Sequence, residues 1–239
     1  MDLSARINAI RDNAVRAKAL LQQERIVVCL RQRASVCFFV AGPLGDEQVV
    51  GACTSADEAL TCLSERQATV LLCNDQLEIG CGVELVVTAK QRWPALRTLL
   101  LISGQPSPQH LRPAISAGCD GLLLDASLGQ GSAISALHTI CGGGIVIDRS
   151  VRELLHAPLG AQSGAVFAPL SPREREVLTL LARGDNNSEI AQALVISLDT
   201  VKTHVRNLLL KLGAKGRTHA AVLAIEHGLV AWPQAACAR

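Results

Sequence analysis

The residues with the clearest capacity for chemistry stand in the stretch 197–212, SLDTVKTHVRNLLLKL. On one side of a helix drawn through it lie hydrogen-bond donors, namely Lys202, Thr203, Arg206 and Asn207. On the other side apolar residues recur at helical spacing, namely Val201, Val205, Leu208, Leu209 and Leu212. An ordinary amphipathic helix with a solvated face shows the same pattern, so the flanking sequence must decide whether the donors bind something.

The flanking sequence predicts four helices within residues 170–229. The first begins with a capping box made by Ser171 and Glu174 and ends at Gly184. The second spans about 187–194, the third begins after Ser197, and the fourth begins after Thr218 and ends at Gly228. The second and third helices are joined by a turn of only three residues, which is typical of a helix-turn-helix.

The helix-turn-helix geometry makes its own demands on residue type. A small residue of the first helix, Ala191, must meet an apolar residue of the second, Val201. The turn often carries glycine with a positive φ, but Val195 stands there. The outer face of the second helix then lies in the major groove, where Lys and Arg can bond guanine and Thr can contact a base edge. Asn207 and Lys211 are suited to phosphate.

The whole stretch LSPREREVLTLLARGDNNSEIAQALVISLDTVKTHVRNLLLKLGAKGRTHAAVLAIEHGLV closely resembles the LuxR/NarL/FixJ DNA-binding domain over about a quarter of the chain. The resemblance implies base reading by Lys202, Thr203 and Arg206, and contacts of Thr200, Asn207 and Lys211 with the DNA backbone. It also implies that the fourth helix forms a dimer face. The sequence departs from the family at three positions, namely Val195, Leu210, where a basic residue is common, and Gly216, where an acid is common.

The N-terminal part alternates short apolar runs with helical patterns. Strands are expected at 26–30, 48–54, 68–73, 98–103 and 121–125, and helices at 55–65, 83–93, 111–118 and 132–143. Such alternation predicts an α/β receiver-like (flavodoxin-like) doubly wound parallel sheet, followed by the all-α helix-turn-helix domain. The expected divisions are an N-terminal helix (1–24), a receiver-like domain (25–150), a linker (151–169) that is uncharged from 157 on, the DNA-binding domain (170–230) and a tail (231–239).

The segments QVVGACTSADEAL and AGCDGLLLDASLG resemble the receiver domains that precede this DNA-binding domain in response regulators. The resemblance implies phosphoryl transfer to an Asp ending the third strand, with acids that bind Mg²⁺, a Ser or Thr, and a Lys. Here Leu30 and Arg31 replace the acids, and Leu124 or Asp125 stands where the Lys belongs. Cys73 or Asn74 falls at the acceptor position, and Ser103 fits the hydroxyl position.

These replacements predict a degenerate receiver that is not phosphorylated in the ordinary way. The alternative is phosphorylation of Asp75, which is off register by one or two residues and otherwise reads as a loop-exposed acid. The domain is expected to serve dimerisation and docking. Two alternatives stay open, namely binding of a small molecule or a signalling protein at the strand ends, and redox sensing through Cys73, Cys81 or Cys119.

Composition limits the remaining function classes. Nine cysteines, an odd number with no CxxC pair, favour core packing and indicate neither a zinc site nor a disulfide framework. Residues 170–239 carry nine Lys and Arg against six Asp and Glu, which suggests an anionic partner, and 2% aromatics with no Tyr argue against single-strand or RNA binding. The chain lacks the apolar run of a membrane span or a signal peptide, so a cytoplasmic bacterial protein is expected.

The expected function is therefore sequence-specific binding of double-stranded DNA by a homodimeric transcription regulator, an orphan and atypical response regulator. Phosphorylation-dependent regulation through Asp75 is the alternative. A lactone-binding quorum sensor is disfavoured by the strand–helix alternation and the few aromatics. The sequence shows no Gly-rich phosphate loop between a strand and a helix and no nucleophile–base set, so neither an enzyme, a cofactor nor a metal is predicted.

Overall fold

The structure is a computed structural model that describes residues 21–41, 44, 47–104, 107–130, 132–156 and 167–230. The helix predicted at 3–23 lies almost wholly outside these residues, as do the tail and most of the predicted linker. A membrane-crossing helix, which would have to be long and apolar, does not occur in the described part of the chain.

A six-stranded parallel sheet forms the N-terminal part, with the strand order β2-β1-β3-β4-β5-β6. The strands are β1 (Ile26–Cys29), β2 (Val49–Cys53), β3 (Val70–Asn74), β4 (Arg97–Ile102), β5 (Gly121–Leu124) and β6 (Val146–Ile147). The inner strands are buried along both faces, which explains their continuous apolar runs. The predicted parallel sheet is confirmed, and the two-residue strand β6 was not foreseen.

Helices cover both faces of the sheet. One face carries α1 (Arg33–Ala41) and α5 (Ser132–Cys141), and the other carries α2 (Ala56–Glu65), α3 (Gly82–Arg92), α4 (Pro108–Ala117) and α6 (Arg149–His156). The helix α4 begins earlier than predicted, because Ser107 caps it and Pro108 occupies its first turn. A short 3₁₀ helix (Asp125–Gln130) follows β5.

Two helices of this part were not predicted, and one prediction was wrong. The segment between the first two predicted strands, which was assigned no element, holds the regular helix α1. The linker predicted from residue 151 begins no earlier than 157, because α6 packs its Val151 into the core beneath β5. Sequence analysis missed α6 because its eight residues precede an uncharged Ala/Gly/Pro/Ser-rich segment and were read together with it.

Four helices form the C-terminal part, as predicted: α7 (Pro172–Arg183), α8 (Asn187–Leu194), α9 (Leu198–Leu212) and α10 (Arg217–Glu226). The capping box of Ser171 and Glu174 is present, and Gly184 and Gly213 end α7 and α9 in the left-handed conformation. The helix α10 begins two residues before the position expected. The four helices share one apolar core, which includes Val177, Leu181, Ile190, Val201 and Leu208.

The two parts of the molecule pack against each other through α10. Val222 of α10 joins the core beneath the sheet, and Arg112 of α4 forms an ion pair of 3.1 Å with Glu226. The backbones of Gly118 and Gly216 meet so closely that a Cβ placed on Gly216 would lie 3.0 Å from the Cα of Gly118. The helix that the family resemblance assigns to a dimer face is thus covered from within the same chain.

Candidate functional site

The polar face of α9 is open to solvent. Lys202, Thr203, Arg206 and Asn207 are all exposed, whereas Val201 and Leu208 on the opposite side are fully buried. The packed apolar stripe therefore turns these four donors outward together. Among the described residues, no hydrogen bond or ion pair joins these four side chains to the N-terminal part, so the docked arrangement leaves this exposed face accessible.

Local hydrogen bonds order the first turns of this face. The Ser197 hydroxyl accepts from the Thr200 amide at 3.1 Å, and the two hydroxyls of these residues lie 2.8 Å apart. The Lys202 ammonium pairs with Asp199 at 3.0 Å, and the Thr203 hydroxyl donates to the Asp199 carbonyl oxygen at 2.9 Å. Both partners of the Lys202 pair are largely exposed, so an anionic ligand can compete for the ammonium at little cost.

The turn between α8 and α9 has the geometry that a helix-turn-helix requires. Val195 adopts φ 53° and ψ 51°, the left-handed conformation for which such a turn often carries glycine. Its side chain is 90% exposed and therefore gains little from packing. Val201 is fully buried and belongs to the same cluster as Ala191, as the predicted close approach of the two helices requires.

Lys211 stands apart from the other predicted DNA contacts. Its ammonium donates to Glu174 at 2.7 Å and to the Pro169 carbonyl oxygen at 3.2 Å. This pair lowers the pKa of Glu174, with a further contribution from the Ser171 amide. The ammonium thus already ties α9 to the start of α7. A phosphate contact by Lys211 stays a prediction, and it would require the ammonium to be shared between Glu174 and the phosphate. The neighbouring Leu210 is 72% exposed.

A second group of polar residues, the strand-end cluster, lies at the carboxyl ends of the strands and includes Asn74, Ser103 and Asp125. Asn74 is the last residue of β3 and is 6% exposed. Its side-chain amide donates to both oxygens of Asp125, at 3.0 and 3.1 Å, and its carbonyl oxygen accepts from the Arg31 amide at 3.3 Å. The Ser103 hydroxyl donates to Asp125 at 2.7 Å. Of the two residues predicted for the acceptor position, Asn74 therefore faces this cluster and Cys73 enters the core, and Asp125 is the one of the two candidates for the Lys position that meets Asn74.

Asp75 has a structural environment that sequence analysis did not foresee. It is 2% exposed and not a loop-exposed acid. One of its oxygens accepts from the backbone amides of Gln76 and Ser103, at 2.9 and 3.0 Å. The other lies 3.6 Å from the Nε2 atom of His110. The carboxylate therefore ties the ends of β3 and β4 together.

The cluster does not fit the Mg²⁺ that receiver domains use. At the end of β1 the chain offers buried Leu30 and the cation Arg31 where acids would bind the metal. The oxygens of Asp125 already accept hydrogen bonds from Asn74 and Ser103. In the ranges that the structure covers, no group of three or more His, Cys, Asp or Glu side chains is arranged to hold a metal ion.

The cysteines are mostly core residues, as predicted. Cys29, Cys53, Cys73 and Cys119 are buried, whereas Cys37 is exposed, and Cys237 lies outside the described residues. Burial raises the pKa of Cys73 well above its ordinary value and that of Cys119 to about 11. Cys81 is half-buried and donates to the Asp75 carbonyl oxygen at 3.7 Å. Two of the three thiols named as redox candidates are therefore poor nucleophiles.

A doubly wound parallel sheet with polar residues at its strand ends, joined to a helix-turn-helix with an open donor face, defines a DNA-binding response regulator. Comparison with known proteins agrees with this class. Residues 168–224 match the family described as bacterial regulatory proteins, luxR family.

The N-terminal part is included in wider similarities. The response regulator protein VraR of Staphylococcus aureus (strain Mu3 / ATCC 700698) is 32% identical over 185 residues, which cover 77% of this chain and 87% of VraR. VraR of strain NCTC 8325 / PS 47 is 31% identical over the same shares. The chain belongs to the response regulators of the LuxR family.

Solved structures of response regulators are also similar. A structure of the response regulator RcsB from Salmonella typhimurium has 25% sequence identity and a TM-score of 0.49, and the match covers 80% of this chain and 93% of the RcsB chain. The response regulator ChrA of a heme-sensing two-component system has 23% identity, covers 87% of this chain and 99% of that chain, and has a TM-score of 0.40.

Proposed function

We propose that this chain regulates transcription by binding a specific double-stranded DNA sequence as a homodimer, without phosphorylation of an aspartate in its receiver-like domain. The observation that carries the proposal is the open donor face of α9, on which Lys202, Thr203 and Arg206 stand together above a fully packed apolar stripe. Lys and Arg can each bond guanine in the major groove, and Thr can contact either a base edge or a thymine methyl group. Thr200 and Asn207 would contact the backbone, which fixes the register of the helix on the duplex.

A dimer is part of the proposal because one helix reads only a few base pairs, and two copies related by a two-fold axis read an inverted repeat. In this proposal the receiver-like domain extends to residue 156, where the helix α6 ends, and the DNA-binding domain spans residues 170–230. The receiver-like domain would then contribute to dimerisation and docking, and the molecule would act in the bacterial cytoplasm by binding and not by catalysis.

Independence from phosphorylation rests on the strand-end cluster. Asn74 at the acceptor position cannot form an acyl phosphate, and Asp125 puts a negative charge where a Lys would neutralise a phosphoryl group. Asp75, the nearest carboxylate, is buried and accepts two backbone hydrogen bonds. A phosphoryl group on this carboxylate would break both bonds.

The experiment is a selection of bound duplexes from a random pool with purified chain, with and without acetyl phosphate, for the wild type and Asp75→Asn. We expect one inverted-repeat motif and affinities within twofold in all four samples, and no gain of a phosphoryl group in the intact mass. The Asn side chain keeps an oxygen that can accept from the amides of Gln76 and Ser103, so the fold should persist. Binding that appears only after phosphoryl transfer, and is lost in Asp75→Asn, would contradict the proposal.

A further inference from the structure

The ends of β1 and β2 bring two thiols side by side. Cys29 and Cys53 are the last residues of these strands and are paired directly in the parallel register. Neighbouring strands lie about 4.7–4.9 Å apart, and disulfides form across Cα separations of about 4.4–6.8 Å. Both side chains enter the core on the same face of the sheet. The backbone therefore holds the two cysteines at a separation that a disulfide can span.

The two thiols interact and are not equivalent. The Cys29 thiol donates to the Ser55 carbonyl oxygen at 3.4 Å, and the Cys53 thiol donates to the Val28 carbonyl oxygen at 3.7 Å. The contact between the two thiols lowers the pKa of Cys53 and, together with burial, raises the pKa of Cys29. Cys53 is 7% exposed and lies on β2, the edge strand, whereas Cys29 is fully buried. Cys53 is thus the member of the pair that can carry the thiolate and meet a small reagent, and Cys29 lies directly behind it.

We propose that Cys29 and Cys53 are a redox-active pair that a peroxide converts to a disulfide. The Cys53 thiolate attacks one oxygen of hydrogen peroxide, the O–O bond breaks, and the departing hydroxide takes up a proton to give water and a sulfenic acid on Cys53. The Cys29 sulfur then attacks the Cys53 sulfur, and hydroxide leaves and takes the Cys29 proton as a second water. Two thiols lose two electrons, and the peroxide gains them.

The remaining thiols of this layer are less suited to the reaction. Cys73 is also in register with Cys29, but it is fully buried on the central strand β3. Cys119 is fully buried as well. The site proposed here therefore differs from the three cysteines that sequence analysis singled out, and it stands independently of the proposed DNA-binding function.

The test treats the purified full chain with hydrogen peroxide, blocks free thiols with N-ethylmaleimide in denaturant, and digests with trypsin. Cleavage after Arg25 and Arg31 leaves Cys29 alone in the peptide 26–31, and cleavage after Arg33 and Arg66 puts Cys53 in the peptide 34–66. We expect these two peptides to be joined, with fragment ions that place the link on Cys53, and the link to disappear on treatment with dithiothreitol. A link from Cys29 to the peptide 67–90, which holds Cys73, would overturn the proposal.

Variants make the assignment specific. Cys53→Ser should abolish the link and leave Cys29 open to the maleimide after denaturation. The matched control is Cys62→Ser, a half-buried cysteine in the same peptide that should keep the link at the wild-type level. Loss of the link in Cys62→Ser would contradict the proposal. A peroxide-treated wild type in which Cys29 is fully alkylated by the maleimide would also contradict it, when the exposed Cys37 of the same sample has reacted with the peroxide.

Discussion

At the scale of single residues, the most unusual feature is a valine in a left-handed turn. For a non-glycine residue the left-handed conformation costs about 1–2 kcal/mol, and the exposed Val195 side chain recovers little of it. Val195→Gly removes this cost but adds backbone entropy to the unfolded chain, worth about 0.4–1 kcal/mol. We expect the free energy of unfolding to rise by about 0.5–1 kcal/mol, measured by urea denaturation.

The control for this change is Ala193→Gly, at an exposed position within α8. Its backbone is already helical, so glycine brings no relief of strain and should lower the free energy of unfolding by roughly 0.5–1 kcal/mol. Equal losses in the two variants would mean that the turn at Val195 is not strained.

The residues of the strand-end cluster show where sequence reasoning stops. A parallel strand ending near residue 73 could be read from its apolar run, but Cys73 and Asn74 could not be separated. Successive side chains of a strand point to opposite faces, so an uncertainty of one residue decides between core and cluster. In the structure Cys73 enters the core and Asn74 meets Asp125. The exposed polar face of α9 was easier to predict, because helical spacing places it without knowledge of long-range contacts.

At the scale of elements, the start of α7 depends on a buried carboxylate. The Glu174 side chain is 6% exposed and accepts from Lys211 and from the Ser171 amide, both at 2.7 Å. Glu174→Gln removes the charge from both contacts, and hydrogen bonds to a charged group contribute about 1.5–3 kcal/mol. We expect a loss of roughly that size at pH 7. The control Glu176→Gln, in a surface pair with Arg173, should lose less than about 1 kcal/mol.

The same contact predicts a pH dependence. Because folding lowers the pKa of Glu174, its contribution is complete above the ordinary value of 4.5 and is lost as the pH falls through the lower value in the folded chain. The free energy of unfolding should therefore decrease less between pH 5 and pH 3 in Glu174→Gln than in the wild type. Parallel curves for the two proteins would show that Glu174 is not stabilised by Lys211.

Most elements could be predicted, and the exceptions have physical reasons. The strands β1 to β5 are short apolar runs between turn signals, and the caps of α7 and α9 are local in sequence. The helix α1 was missed because its apolar residues form a continuous run that hides the helical period: Phe38, which is 59% exposed, stands between the buried Val36 and Phe39. The strand β6 has only two residues and pairs solely with β5, so it carries no pattern of its own.

At the scale of the whole molecule, the docking of α10 beneath the sheet could not be foreseen. Its contacts join residues about a hundred positions apart, such as the Thr218 hydroxyl and the Asp120 carbonyl oxygen at 3.4 Å. The close approach of Gly118 and Gly216 involves no side chain at all. It does give a reason for one departure from the family, because the acid commonly found at position 216 would press against Gly118. A dimer that uses α10 requires this contact to separate.

The close approach of Gly118 and Gly216 can be tested by placing at position 216 the acid that is common in the family. Gly216→Asp places a Cβ 3.0 Å from the Cα of Gly118, so we expect the two parts to separate and the radius of gyration in small-angle X-ray scattering to increase. Lys215→Asp is the control, since it puts the same side chain at the neighbouring exposed position. An unchanged radius in Gly216→Asp would mean that the docking does not depend on this approach.

The most direct test of the DNA-reading face is a genome-wide immunoprecipitation of bound DNA, with the wild type beside Lys202→Ala/Arg206→Ala. Each bidentate base contact contributes about 1–3 kcal/mol of discrimination against a wrong base. We therefore expect a shared inverted repeat in the wild type that vanishes in the variant, while circular dichroism shows that the fold is kept. Enrichment without a motif, or a motif unchanged by the two substitutions, would contradict sequence reading by α9.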